Sequence, residues 1–376
     1  MIRVLNILDT IMSGGVERRR LSMAKLLDHS QFEMKIICTN AVGPFPKEFA
    51  QYGVEIIEIG DLISFINFKQ HKKVMKIIDD FKPHIIHGAV FEGVTLASIN
   101  GFFKRVPIII LEETSDPQNR NWKANLLMKL LILPADKVIG VSQASTNYLT
   151  DKIKVPKSKV LLVNNGVVLP QKVSNEEIKS LKQELSIKED EIVIGTVGRM
   201  LHDEHKRFSD LIKAFAILIN KGLKIKLVMV GRGPLLKVYQ ELANELQIQE
   251  FVVFAGYQNE TSKYYAIFDI FSLVSAYEAF GLVLAEAMLH KLPIVATKVG
   301  GMQYIVDDQQ TGFLVEKYNV EEIATRLEIL CNNEDLRHTF GENGYVKAMR
   351  EYTEERYVKD VQKLYLELIK KKNVKI

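Results

Sequence analysis

The chain of 376 residues has only two cysteines, Cys38 and Cys331, a single tryptophan, Trp122, and no Asp-x-Asp tripeptide. Two cysteines so far apart form neither a disulfide framework nor a metal-ligand cluster, and a reducing, cytoplasmic compartment is expected. No run of about 18 apolar residues occurs, so nothing reads as a membrane-spanning helix. The opening MIRVLNILDTIMSGG is apolar over too short a span for a signal peptide, and Asp9 interrupts it. G-x-G-x-x-G is absent, so the first glycine loop is not read as a dinucleotide fingerprint. No Ser–His–Asp, zinc or P-loop pattern stands out either, and no metal or other cofactor is expected.

Acidic charge is scarce in the first half. Residues 1–165 carry 22 Lys and Arg against 16 Asp and Glu, whereas the remainder carries 28 against 30. The basic half suits an anionic ligand or surface, such as a lipid diphosphate at the inner face of a membrane. The plainer reading is a lysine-rich surface. No nucleic-acid partner is expected.

A chain this long is more than one ordinary core and implies two domains. Arg3 to Leu8 reads as a short buried strand. It runs into Ser13-Gly14-Gly15-Val16-Glu17-Arg18 and then into helical spacing at Leu21, Met23, Ala24, Leu26 and Leu27. Strand-like runs follow at Met34–Cys38, Val54–Ile59, Ile85–His87, Val106–Leu111 and Lys137–Val141, with helical patterns at Lys69–Phe81 and Asn121–Leu133. Such alternation predicts a parallel sheet with helices on both faces. Pro170 to Glu191 is polar and reads as an interdomain segment plus the first helix of a second domain, whose strands begin at Ile192.

The second half is organised around Ser275–Gly301, SAYEAFGLVLAEAMLHKLPIVATKVGG. Glu278 and Glu286 lie eight positions apart. The run Leu282 to Leu289 between a glycine and His290 is apolar except at Glu286. A lone carboxylate buried there would cost several kcal/mol unless partnered, so Glu286 faces water or serves a ligand rich in donors. Gly281 stands where a helix begins, and a helix start offers free N–H groups for phosphate. A carboxylate, then amides, then a second carboxylate would suit a nucleotide-sugar. An amphipathic helix with one solvated glutamate is the competing reading.

E-A-F-G-L-x-L-x-E resembles the E-x7-E pattern of retaining glycosyltransferases of GT-B fold, specifically the large group 1 family (family 4). Other stretches resemble that family in order: GGVER near the start, PHIIH at 83–87, ADKVIGVS at 135–142, NGV at 165–167, VGRGP at 230–234, the strand FAGY ending at Tyr257, and TGFLV at 311–315. The resemblance implies an α/β fold of two Rossmann-like domains with parallel sheets facing across a cleft. It places an acceptor domain at 1–168, joined by a C-terminal helix at 353–376, and a donor domain at 169–352. It also implies that Arg199 and Lys206 grip the donor phosphates, which would stabilise charge on the leaving group. The spacing of these two is longer than the family's usual one, and Arg207 adjoins Lys206. Amides at Phe280, Gly281 and Leu282 would add to that field. Glu278 would bind sugar hydroxyls and Glu286 the ribose. Gly14 and Gly15 would approach the diphosphate from the other domain, and Gly231 and Tyr257 the nucleoside.

The chain departs from the family where Glu113 replaces a histidine and where Gln303-Tyr304 replaces Pro-Glu. Glu112 and Glu113 are read as following the strand that ends at Leu111. Glu113 and His87 are the acceptor-side candidates, although a hydrogen-bonded core histidine is the stronger reading of His87. The loop Gln118–Trp122 offers an Arg–Trp pair for lipid or sugar, or simply a helix start. The expectation is therefore a metal-independent retaining transferase that moves a sugar from a nucleoside-diphosphate-sugar to a saccharide or polyprenyl-linked acceptor. Surface polysaccharide or glycolipid synthesis, at the cytoplasmic face and in peripheral contact with anionic membrane, is the expected setting. A nucleotide-sugar 2-epimerase of the same fold, a pyridoxal-phosphate-dependent phosphorylase and a non-catalytic nucleotide-sugar-binding module are the alternatives.

Overall fold

The computed structural model describes all residues except Ser13, Ile63, Phe65, Ile66, residues 116–119, Asp203 and Glu204. Asp116 and the first part of the Gln118–Trp122 loop therefore lie outside the described residues. The chain divides into two units, Met1–Gly166 with Thr353–Ile376, and Val167–Tyr352.

The first unit is built on seven parallel strands: β1 (Ile2–Ile7), β2 (Phe32–Cys38), β3 (Glu55–Glu58), β4 (Ile85–Ala89), β5 (Ile108–Glu113), β6 (Lys137–Gly140) and β7 (Val160–Leu162). Their spatial order is β3-β2-β1-β4-β5-β6-β7. Strands this apolar stand only between two helical layers, because a parallel sheet buries both faces. On one face, Val4, Leu8, Ile36, Ile85 and Ile110 pack under α1 (Gly15–Leu26) and α6 (Glu354–Lys371). On the other, Leu5, Ile7, Ile37, Ile86 and Ile109 pack under α2 (Val90–Phe103) and α3 (Trp122–Ile132). Helix α6 follows the second unit in sequence, yet its stripe Tyr357, Val361, Leu364, Tyr365 and Leu368 is buried in the first unit's core. Each such side chain contributes roughly 2 kcal/mol when buried. Thr353 caps its start by accepting from the Arg356 amide at 3.3 Å.

The second unit repeats the plan with β8 (Ile192–Val197), β9 (Ile225–Val230), β10 (Val252–Gly256), β11 (Ile270–Leu273), β12 (Ile294–Thr297) and β13 (Gly312–Val315), ordered β10-β9-β8-β11-β12-β13. The helix at Asn175–Glu184 leads into it, closed by a capping box between Ser174 and Glu177. Helices α4 (Phe208–Asn220) and α5 (Leu282–Leu289) follow β8 and β11. In both sheets the strand order reverses beside the first strand, and such a reversal opens a crevice at the carboxyl ends.

Two boundaries differ from the sequence reading. Strand β5 continues through Glu112 and Glu113 instead of ending at Leu111, and both glutamates are buried. The short strand β7, half-exposed and three residues long, completes the sheet where no strand is read from sequence.

Candidate functional site

The reversal in the second sheet lies between β8 and β11. The first runs out at Val197 into Gly198-Arg199, and the second leads to Glu278. The stem of Lys206 runs beside Gly198, where an added Cβ would stand 3.7 Å from the lysine Cε. The Lys206 ammonium forms an ion pair with the Glu278 carboxylate, both side chains partly exposed. Arg207, the rival cation, turns away. It makes a two-pronged pair with Asp210, each contact 2.8 Å, and lies 5.1 Å over the Tyr318 ring. Arg207 is therefore committed to starting α4, whereas Lys206 points to the glutamate of the E-x7-E pair. Arg199 is exposed, with no hydrogen bond or ion pair recorded among the described residues.

Gly281 sits at φ +98 immediately before α5, a left-handed conformation that favours glycine, and no side chain caps the helix. Among the described residues no side chain is seen to accept from the first N–H groups of α5, and the helix dipole adds positive potential there. The loop holding them is braced from behind. The Gly301 amide donates to the Glu278 carbonyl at 2.9 Å, and a Cβ at Gly301 would stand 2.3 Å from the Ala279 oxygen. Phe280 is buried and packs edge-on against Tyr352 at 5.6 Å, so its ring is an anchor and only its main chain remains for a ligand.

One turn into α5, Glu286 accepts a hydrogen bond from the Tyr265 hydroxyl at 2.8 Å. Tyr265 stacks on His290 at 4.8 Å, and His290 Nδ1 reaches the Glu286 carbonyl at 2.8 Å. Burial lowers the His290 pKa below its ordinary value. This resolves the sequence-level conflict of a carboxylate on an apolar helix: the partner is a tyrosine from the short helix Ser262–Tyr265, and no spacing in the sequence signals it.

Beside these lies a tight crossing of backbones. Gly231, at φ +140, closes β9 against Gly198; an added Cβ would stand 1.9 Å from the Gly198 oxygen. The Gly231 amide donates to Gly256 at 2.8 Å, which ties down the strand end before Tyr257. Tyr257 is exposed, with Arg232 at 4.9 Å over its ring. Arg232 is a further cation at this edge that the sequence reading does not single out.

The first-unit candidates fare differently. Gly14 precedes α1 in an extended conformation, φ −81, that any residue adopts. The atoms nearest a Cβ there are the Glu17 carboxylate oxygens, 2.4 Å away at the far end of a flexible side chain that can swing aside, so nothing at Gly14 requires glycine. Gly15 is the first residue of α1. His87 is fully buried, with Nδ1 2.7 Å from the Tyr365 hydroxyl and Nε2 3.4 Å from Arg20. Burial, then the Arg20 charge, push its imidazole down to about 4. As a neutral residue under α1 and α6, His87 is a core histidine and not an acceptor ligand.

Glu112 beside it is also fully buried. Its carboxylate pairs with Arg19 and, at 2.5 Å, with Arg20. Burial alone would raise the Glu112 pKa, but the two guanidiniums hold it well below the usual carboxylate range. Arg20 also donates to the Tyr357 hydroxyl at 2.8 Å. Glu113 is buried as well. It accepts from the Ser115 amide at 3.1 Å, the Ser115 hydroxyl at 2.7 Å and Arg120 at 2.5 and 3.0 Å. Both of its oxygens are occupied, so the adjacent acids are strand residues with dedicated cations and do not lie beyond the strand.

The structure thus brings Arg199, Lys206, Glu278 and the start of α5 to one switch point, with Glu286, Gly231 and Tyr257 on the same unit. A family model described as Glycosyltransferase Family 4 matches residues 13–170, and one described as Glycosyl transferases group 1 matches residues 177–347. The chain belongs to the group 1, family 4 glycosyltransferases. This glycosyltransferase is 24% identical over 346 residues to the capsular polysaccharide biosynthesis glycosyltransferase CapM of Staphylococcus aureus, covering 86% of this chain and 88% of that one. It is 29% identical over 264 residues to N-acetyl-alpha-D-glucosaminyl L-malate synthase of Bacillus anthracis, covering 70% and 66%. The crystal structure of Anabaena HepE in complex with UDP superposes with a TM-score of 0.85 at 20% identity, covering 96% of this chain and 99% of that one. The fold is GT-B.

Proposed function

We propose that this glycosyltransferase moves a sugar, with retention at C1, from a UDP-sugar to a hydroxyl of a saccharide or lipid-linked acceptor, without a metal ion. The observation that carries the reading is the Lys206–Glu278 pair beside the uncapped start of α5. It offers a cation and free amides for a diphosphate, next to a carboxylate for hydroxyls. When the donor binds, Lys206 exchanges its glutamate partner for the β-phosphate, and Arg199 adds a second positive charge. The freed Glu278 carboxylate then accepts from sugar hydroxyls. Glu286, already oriented by Tyr265, accepts from the ribose hydroxyls, and Tyr257 borders the nucleoside.

The bond from C1 to the β-phosphate oxygen breaks and the bond from C1 to the acceptor oxygen forms on the same face. The acceptor proton passes to the departing phosphate, and UDP leaves. Charge builds on the β-phosphate as its bond to C1 lengthens, so fixed donors there act on the transition state more than on the ground state. The HepE complex with UDP, on the same fold, supports uridine as the base. Kinship to a capsular polysaccharide enzyme supports a surface glycan as the product; peripheral contact with a membrane is part of the proposal and rests on the basic first unit. No helix among the described residues is long and apolar enough to cross a membrane.

Calorimetric titration of UDP, GDP, ADP and CMP in EDTA tests this reading. UDP binding to the wild type, weakened tenfold or more by Glu286→Ala, is expected. Absence of any nucleotide binding removes the reading. Turnover of the donor with no acceptor present favours an epimerase instead.

A further inference from the structure

We propose that the outer face of α3, together with the adjoining end of α2, is a docking surface for anionic lipid bilayer. Helix α3 is apolar on both sides, a composition that normally means full burial. Its inner side, Met128, Leu131 and Ile132, is indeed buried in the first unit's core. Its outer side is not. Trp122 is 70% exposed, Leu126 50%, Leu130 55% and Leu133, at the helix end, 64%. These positions are spaced by four, four and three residues and form one stripe along the helix.

The neighbouring helix α2 also ends in exposed apolar residues. The Ser98 hydroxyl donates to the Leu131 carbonyl at 2.5 Å, which joins the two helices. One turn further along α2 come Phe102, 61% exposed, and Phe103, 66% exposed, with ring centroids 5.6 Å apart. Single exposed apolar residues need no explanation, but six large ones on two touching helices mark a contact surface.

Charge identifies the occupant. Arg120 is already paired with Glu113 and Lys104 with Asp79, but Lys123 and Lys129 lie in a stretch, Arg120 to Leu133, that holds no acid, and Arg105 follows the phenylalanines. Lys129 falls within the apolar stripe and Lys123 at its edge, both exposed. Lys159 adds a cation beside Leu133, whose carbonyl its ammonium holds at 2.9 Å. A second copy of this chain, meeting the face through a two-fold axis, would set these cations against themselves. Lipid headgroups supply the opposite charge, while leucine, phenylalanine and tryptophan enter the acyl boundary and lysine stems extend outward to the phosphates. The inference deepens the membrane part of the reading above, but its test does not depend on catalysis or on the donor.

Trp122 is the sole tryptophan of the chain, so its fluorescence reports this face alone. The probes are phosphatidylcholine vesicles with and without about one third phosphatidylglycerol, at about 0.1 M salt. A blue shift and quenching by brominated acyl chains are expected with phosphatidylglycerol only. K123E/K129E is expected to weaken partition by at least about tenfold. L126E/L130E is expected to abolish it, and both variants should keep the wild-type melting temperature because the side chains are exposed. No blue shift, or equal binding to neutral vesicles, overturns the proposal. So does a concentration-dependent dimer that L126E/L130E dissolves in the absence of vesicle binding, which would assign the face to a second copy. Vesicle binding by a protein that binds no nucleotide would leave this proposal standing and remove the donor reading.

Discussion

Glu112→Gln is an isosteric change of one atom, and the structure makes its cost large. Among the described residues the carboxylate is the only acidic partner of two fully buried arginines, Arg19 and Arg20, and the Nε of each has no partner there. Substituting glutamine leaves two buried guanidiniums with no counter-charge. Removing one member of a buried ion pair typically costs about 3–5 kcal/mol. For a unit of this size a kcal/mol shifts the melting temperature by roughly 2–4 °C, so a fall of roughly 6–20 °C is expected. The comparison is Glu278→Gln, which removes the partner of a half-buried lysine that water can reach. Its cost is expected to stay below about 1 kcal/mol. Calorimetric melting of both variants is the assay. Adding Arg19→Met to Glu112→Gln removes one uncompensated charge, and the pair should couple by at least about 1 kcal/mol. Equal melting temperatures for Glu112→Gln and wild type would refute the argument, because then the buried charges would not be paying for one another.

The remaining expectations concern neighbouring groups. His87 is depressed from 6.5 to about 4 in the folded chain, so between those pH values the unfolded state binds the extra proton and stability falls as pH drops. The loss should reach about 3 kcal/mol by pH 4, and His87→Gln should flatten that part of the melting-temperature profile. Glu112 adds its own loss in the same direction at lower pH: its folded pKa is depressed, so its stabilisation is full above about 4.5 and fades as pH falls toward the folded value. Gly231→Ala forces a side chain onto φ +140 and into the Gly198 carbonyl, and should cost roughly 3 kcal/mol by thermal melting. Tyr265→Phe removes the donor that orients Glu286 and should cost about 1–2 kcal/mol. By calorimetry it should weaken UDP binding by less than Glu286→Ala does.

Much of this architecture is legible in the sequence because parallel strands buried on both faces leave unbroken apolar runs, as at Ile192–Val197 and Ile85–Ile86. The E-x7-E stretch is legible for a related reason: Gly281 and the Gly300-Gly301 pair mark the backbone positions that the loop cannot build with other residues. The buried ion network is not. Nothing in Arg18-Arg19-Arg20 tells a buried cation from a solvated one, and Glu112-Glu113 is read as lying beyond its strand. Only the fold brings the two stretches together, so that each supplies what the other lacks. His87 shows the same limit, since a histidine at a strand end looks alike whether it meets solvent or, as here, Tyr365 from the last helix. Lys206 is assigned from the sequence because a helix follows it correctly, but where each of the two cations turns is not legible there. Both are cations at the start of α4, and what separates them is Asp210 one turn further on. Tyr265, the partner of Glu286, left no signal, because a hydrogen bond across 21 residues has no periodicity.

The most direct test of the central claim is the affinity of UDP, measured by calorimetry in EDTA, for the wild type, Lys206→Met and Glu286→Ala. The account predicts binding to the wild type without metal. Lys206→Met should bind at least about tenfold more weakly, since a charge-assisted contact to phosphate contributes roughly 1.5–3 kcal/mol, and Glu286→Ala should show a comparable loss. Wild-type binding that needs a divalent cation, or binding that neither substitution changes, would contradict it.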